Sequence, residues 1–523
     1  MELDDVRGSA DRTVEVTYPP PLPPRFPPAA ALLNLSGLGL GYAYLGRWLR
    51  AVLYLLGTAV LVVLAFLTNA ASAVGPWLVV GVAWLLWMAI DGWRLAMWTA
   101  PRRVSVAGRI VSTAAGVVTI VALVAGFLVY DGAGRSAYET GLDAQRRGDC
   151  NAAVTAFDTV TGPFELTFGP YVTEAAVKRV ECDEFTAAVS AGQGDYRGVT
   201  TKLKEHRTAH PSSLLLPTVL DRLEGTYRDW AESLRRSDDY SEAITVYREL
   251  LTEVPQPRMD PRPALAETYI ALATSTAQSM ASTSPSVSSA KTAIDALLIV
   301  RRELGATPAA SQVDGKFAEV FAAGRGDFVK GRWCPSVPVL DYFVGLPAAE
   351  TSGVVGAANN DRVLALLECG LERFRAGAYL ETVEPINKLV TGYPESPQAQ
   401  LGRAVAISAK VGDGRKTAVE VPASFGTEGT ILMKVYNAQP GPMKLLVAGP
   451  TAFEIDLPGC TVCAPTYPND TEACKTFDGR PTVDVRIRAG TYIMFQDGVP
   501  NHYQPWVISS GGYYTSCFWI GNQ

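Results

Sequence analysis

The sequence predicts a multi-domain α + β protein: transmembrane helices first, then an α-α solenoid of paired helices, then a C-terminal antiparallel β-sandwich. Three observations carry that prediction. Long apolar runs are confined to the stretch between Ala29 and Tyr130. From Ser136 onward apolar residues recur at helical spacing in paired segments. After Gly412 that period gives way to short alternating runs separated by Gly, Pro and Asn. A chain of 523 residues has room for several such cores.

The first element, residues 1–28, ends in YPPPLPPRFPP and is expected to be a disordered proline-rich tail, since such a run is extended or unstructured. It is acidic and lacks a short apolar core with a cleavage site, so no signal peptide is expected. Residues 29–131 are expected to form a membrane domain of three or four helices. Apolar segments lie at about 30–46, 51–71, 76–97 and 108–130. The last three are long enough to cross a hydrocarbon core of about 30 Å. The first is short and glycine-rich and carries Asn34, which leaves open whether it spans.

Arginines set the orientation. Arg47 and Arg50 stand before the second segment, and Arg94, Arg102, Arg103 and Arg109 between the third and fourth, whereas TNAASAVG between the second and third carries no charge. The positive-inside rule puts both arginine-bearing connections in the cytoplasm and everything after residue 131 outside it. Asp91 is the one acid within an apolar segment, a functional candidate by its placement. Arg94 lies within one helical turn of it, so a paired interfacial acid is the favoured reading.

GLGLGYAYLGRWLRAVLYLL followed by WLLWMAIDGWRLA resembles a small bacterial two-helix membrane family built on a glycine-rich first helix, Tyr-Leu-Gly-Arg and Trp-x-x-x-Asp. The matching residues are Tyr44, Leu45, Gly46, Arg47, Trp87 and Asp91. The chain departs from that family by extra apolar segments between and after the motifs. The resemblance implies membrane insertion and brings no reaction with it.

Residues 132–412 are expected to form the helical array. The clearest copy is AESLRRSDDYSEAITVYRELLTEVP, with Ala231, Tyr240, Ala243, Tyr247 and Pro255. GLDAQRRGDCNAAVTAF repeats it with Gly141, Cys150, Ala153 and Phe157; other copies follow Ala187, Gly324 and Gly370, and a degenerate one fills Ala266 to Leu304. Small residues let two helices approach, and an aromatic fills the groove between hairpins. The array resembles tetratricopeptide repeats, but its second helices open about 44 to 50 residues apart where that family repeats every 34. The resemblance implies binding of a peptide or protein along a concave face.

All eight cysteines follow the last apolar segment, and on the oxidising side of a membrane an even set reads as disulfides. Cys150 opens a second helix while Cys182 falls late in the next first helix, and Cys334 and Cys369 repeat that relation. Each pair is therefore expected to be bridged. Cys460, Cys463, Cys474 and Cys517 lie in the terminal segment, residues 413–523. There two structural disulfides of open connectivity are preferred to a zinc site or a redox dithiol, because CTVC runs into turn residues and has no second close pair. About seven strands, including the strand–turn–strand RIRAGTYIMF, read as the antiparallel sandwich. Tyr503, Trp506 and Tyr513 are candidates for a carbohydrate surface, with packing the plainer reading.

Other chemistry is not visible. His206 and His210 stand four apart in EHRTAH without the glutamate of a zinc protease between them, and with His502 are expected to be solvated. No phosphate-binding loop or Gly-x-Ser-x-Gly elbow is present. No catalytic residue, cofactor or metal is therefore expected, and the net charge of −6 argues against nucleic acid. The arginine-, alanine- and valine-rich composition suits a GC-rich bacterium. The sequence thus points to a multi-pass membrane protein whose external repeats are a protein-interaction scaffold of the cell envelope, for an envelope protein or peptide partner. The alternatives are a glycan-binding surface protein acting through the β domain and an accessory subunit of a transporter.

Overall fold

A computed structural model describes residues 26–68, 74–99, 106–167, 169–190, 194–351, 353–415, 419–499 and 503–521. Residues 1–25 of the proline-rich tail, most of TNAASAVG, Arg102, Arg103 and His502 lie outside them. The chain is mostly helical and divides into two compact units, Met1–Asp229 with Val254–Arg258, and Trp230–Glu253 with Met259–Gln523.

In the first unit the segment at 30–46 is not one helix. It breaks into α1 (Pro27–Asn34) and α2 (Leu40–Tyr44), around a turn in which Gly37 and Gly39 take φ of +75° and +67°. Only glycine adopts that backbone freely. An eight-residue helix rises about 12 Å, far short of a bilayer core. Among the described residues three helices are long and apolar enough to cross: α3 (Trp48–Leu67), α4 (Val74–Thr99) and α5 (Val106–Arg146). Apolar side chains such as Leu49, Val79 and Val111 project outward from them, as lipid-facing helices require.

Helix α5 has 41 residues, roughly 60 Å of continuous helix. It carries the chain from the apolar segment into the first helical pair without a break, so a boundary at 131/132 falls inside it. Beyond it lie α6 (Cys150–Thr161), α7 (Pro170–Val189), α8 (Tyr196–Ala209) and α9 (Leu216–Arg236), which runs on into the second unit. Asp149 and Asp195 cap α6 and α8 by accepting from the amides of Ala152 and Gly198. A Cβ at Gly141 would stand 2.5 Å from the ring of Phe157, so only glycine lets α5 and α6 close.

The second unit continues the pairing through α10 (Tyr240–Glu253), α11 (Arg262–Ser282), α12 (Val287–Glu303), α13 (Val313–Gly324), the single turn α14 (Gly326–Val329), α15 (Trp333–Val344), α16 (Val354–Arg375), α17 (Tyr379–Gly392) and α18 (Pro397–Arg415). The Gly141 lock recurs where Gly324 meets Phe343 and Gly370 meets Ile386, each within 2.6 Å of where a Cβ would stand. The serine-rich turn inside 266–304 separates α11 from α12, and Ser286 caps the latter by accepting from the Ser289 amide.

Among the described residues eight strands follow: β1 (Ser424–Phe425), β2 (Ile431–Asn437), β3 (Met443–Ala448), β4 (Thr451–Leu457), then, after the short α19 (Asp470–Ala473), β5 (Thr482–Ile487), β6 (Gly490–Gln496), β7 (Tyr503–Ile508) and β8 (Tyr514–Phe518). They form a five-stranded sheet ordered β1-β4-β3-β6-β7 and a three-stranded sheet ordered β5-β2-β8. The expectation of purely antiparallel strands is corrected: β1 runs parallel to β4, and β8 parallel to β2. Met433, Val435, Leu445, Val447, Ile455 and Met494 belong to the core shared by the two sheets. The opposite face of the larger sheet is covered by α18, whose Ala404, Ile407 and Val411 meet Leu446, Ala448 and Ile493. A sheet buried on both faces explains the unbroken apolar run LLVA in β3. A boundary at 412/413 falls inside α18, which belongs to both the helical and the β packing.

Candidate functional site

Three groups of residues are placed where chemistry or recognition can occur, and the first lies among the apolar helices. Asn34 donates to the Met88 carbonyl at 3.1 Å and accepts from the Tyr42 amide at 3.2 Å. Thr58 donates to the Gly37 carbonyl at 2.7 Å and accepts from the Trp84 indole at 3.0 Å. Asn34 and Thr58 thus tie the turn between α1 and α2 to α3 and α4. Asp91 joins the same network. Its carboxylate accepts from the Tyr42 hydroxyl at 2.7 Å and faces Arg50 at 3.7 Å. Arg94, the partner expected from helical spacing, is not the one used.

The second group is the cysteines. Three pairs lie at disulfide distance: Cys334–Cys369, joining α15 to α16, and Cys460–Cys463 and Cys474–Cys517 in the β region. The last two fill in the connectivity that the sequence left open. Such bonds suggest an oxidising compartment for this part of the chain. Cys150 opens α6 and Cys182 lies in α7, as expected, but the bridge expected between them is not formed: both are buried free thiols with sulfurs 2.7 Å apart. That contact holds the Cys150 thiol below its ordinary value, while the same contact and burial push Cys182 up.

Beside Cys182 stands a polar node that the sequence did not single out. The buried Glu181 carboxylate accepts from Lys178 at 2.6 Å, from Ser213 at 2.7 Å and from Gln145 at 3.1 Å. Gln145 belongs to α5 and Ser213 to the turn before α9, so one side chain ties three successive pairs. Burial alone would raise this carboxyl, but Lys178 and Ser213 hold it below the usual carboxylate range.

The third group is a series of polar grooves on the array. One is lined by Arg135, Glu139 and Asp143 of α5 with Tyr171 and Glu174 of α7. A second has Asp195 and Tyr196 at the start of α8 with Asp221, Arg222 and Asp229 of α9. In the second unit a third is lined by Glu267, Thr274 and Gln278 of α11 with Lys316 of α13. Each groove draws on the first helix of a pair. In the β region Tyr503 and Tyr513 are exposed, whereas Trp506 packs against the core.

The histidine expectation is corrected for one residue. His206 is 5% exposed, on the inner face of α8 with Val199 and Leu203, because helical spacing places all three on one stripe. His210, one turn on, meets Glu184 of α7 at 2.7 Å. No family model matches the sequence, and no curated protein matches it either.

Proposed function

We propose that this chain is a membrane-anchored scaffold of a bacterial cell envelope, whose tetratricopeptide-like repeats lie outside the cytoplasm and hold a protein or peptide partner. The observation that carries the reading is that each unit bears polar grooves between its paired helices, the kind of surface on which stacked hairpins bind ligands. The disulfides support the orientation, with the arginines before α3 on the opposite side of the membrane. The β region caps the array as a sandwich of mixed sheets. The membrane network supports anchoring over transport, since Asp91 is engaged in holding the broken segment together. The glycan-binding alternative rests on exposed Tyr503 and Tyr513.

Photo-crosslinkers placed singly in the full chain separate these readings. At Glu139, Asp229 and Gln278, all exposed in the grooves, they should trap one common envelope protein, and at Lys202 on α8 they should not. Trapping through Tyr513 alone would move the function to the β region. No adduct from any groove position ends the scaffold reading.

A further inference from the structure

The α7–α8 hairpin carries a cluster that the scaffold reading does not use. Glu184 projects from α7, and His206 and His210 stand one turn apart on α8. One ligand atom from each lies within 4.8 Å of the others. The two imidazole rings are 4.9 Å apart. His206 has both ring nitrogens buried with no hydrogen-bond partner. Buried polar groups in native proteins are almost always satisfied, and an unpaired one typically costs about 1–3 kcal/mol. His210 and Glu184 are partly exposed, so the cluster opens toward solvent on one side. A buried imidazole without a partner, beside a second imidazole and a carboxylate that reach solvent, is an incomplete coordination sphere.

We propose that Glu184, His206 and His210 bind one zinc-class divalent ion, bracing α7 against α8 and leaving a fourth coordination position open. Two imidazoles and a carboxylate are a borderline donor set, suited to zinc and its late first-row neighbours rather than to calcium or magnesium. A tetrahedral ion needs its ligand atoms closer together than 4.8 Å. The Glu184–His210 pair, now in direct contact, has to part and turn toward His206 to receive it. That movement is confined to two partly exposed side chains. The spacing escaped the sequence reading because the carboxylate comes from the preceding helix and not from between the histidines.

Full chain in detergent, stripped with chelator, is titrated with Zn2+ against a chromophoric competitor. One equivalent should bind, and Glu184→Gln and His210→Gln, both at partly exposed positions, should each weaken it at least tenfold while leaving the unfolding temperature of the metal-free chain unchanged. His206→Gln should abolish binding. Cobalt substituted for zinc should give a spectrum without thiolate charge transfer, which excludes Cys150 and Cys182 as the ligands. Binding that survives both His210→Gln and Glu184→Gln, a thiolate band, or no binding at all would overturn the proposal.

Discussion

Two helix joints in this chain are set out alike and held differently. In the first unit Cys150 opens α6 and touches Cys182 in α7 as a free thiol, and in the second Cys334 opens α15 and is bonded to Cys369 in α16. Around the first joint lie an N-cap from Asp149 and the buried Glu181 node. The second has no side-chain cap on α15, and ion pairs Arg325–Asp361 and Arg362–Asp341 stand among its helices. The comparison teaches that helical phase decides which residues meet across a joint, while their surroundings decide what holds them. The first joint belongs to the helical pair that continues without a break from the apolar segment of α5.

The largest effect that separates the joints is expected at Lys178. Lys178→Met leaves the Glu181 carboxylate buried without its cation and should destabilise the first unit by about 3–5 kcal/mol. Because the Glu181 carboxyl is held below its ordinary value, its stabilisation is present at neutral pH and lost as pH falls through that lowered value. The gap between wild type and Lys178→Met should therefore shrink on acidification, which denaturation followed from pH 7 to below the ordinary carboxylate range will measure. A constant gap would remove the node from the account.

The next effect belongs to the second joint. Cys334→Ser opens a loop with a sequence separation of 35 and should cost about 3–4 kcal/mol, a difference from wild type that closes once reductant opens the bond there too. Thermal unfolding with and without reductant checks it. The smallest is the cap: Asp149→Ala should cost about 1 kcal/mol and speed hydrogen exchange in the first turn of α6. Loss of Arg332, at the same position before α15, removes no cap. It does remove the cation paired with the buried Asp327 carboxylate, so any change in exchange at the start of α15 reports that pair and not a cap.

Local patterns were legible and distant partnerships were not. Helical phase put Cys150 at a helix start and Cys182 within a helix, and glycine spacing marked the positions where Gly141, Gly324 and Gly370 admit their neighbours. Seven of the strands stood out as alternating or apolar runs. The two-residue β1 is too short to leave a pattern, and the parallel pairings of β1 with β4 and β8 with β2 depend on strand order, which no local rule encodes. Asp91 shows the same limit. Its nearest charge in sequence is Arg94, but its hydroxyl partner is Tyr42, 49 residues earlier, brought there by the fold of α1 and α2. His206 was misread as solvated because a polar residue on an inner stripe looks like any exposed histidine until the neighbouring helix is in place.

The proposed orientation puts both joints outside the cytoplasm, where Cys334 is bonded to Cys369 and the free Cys150 and Cys182 thiols, 2.7 Å apart, are within reach of oxidation. Non-reducing peptide mapping of the chain from native membranes tests it directly, with free thiols blocked before lysis. A Cys334–Cys369 linked peptide pair that reductant separates is expected, with Cys150 and Cys182 recovered either blocked or linked only to each other. Recovery of all four cysteines as blocked free thiols would contradict the bridging and the orientation together.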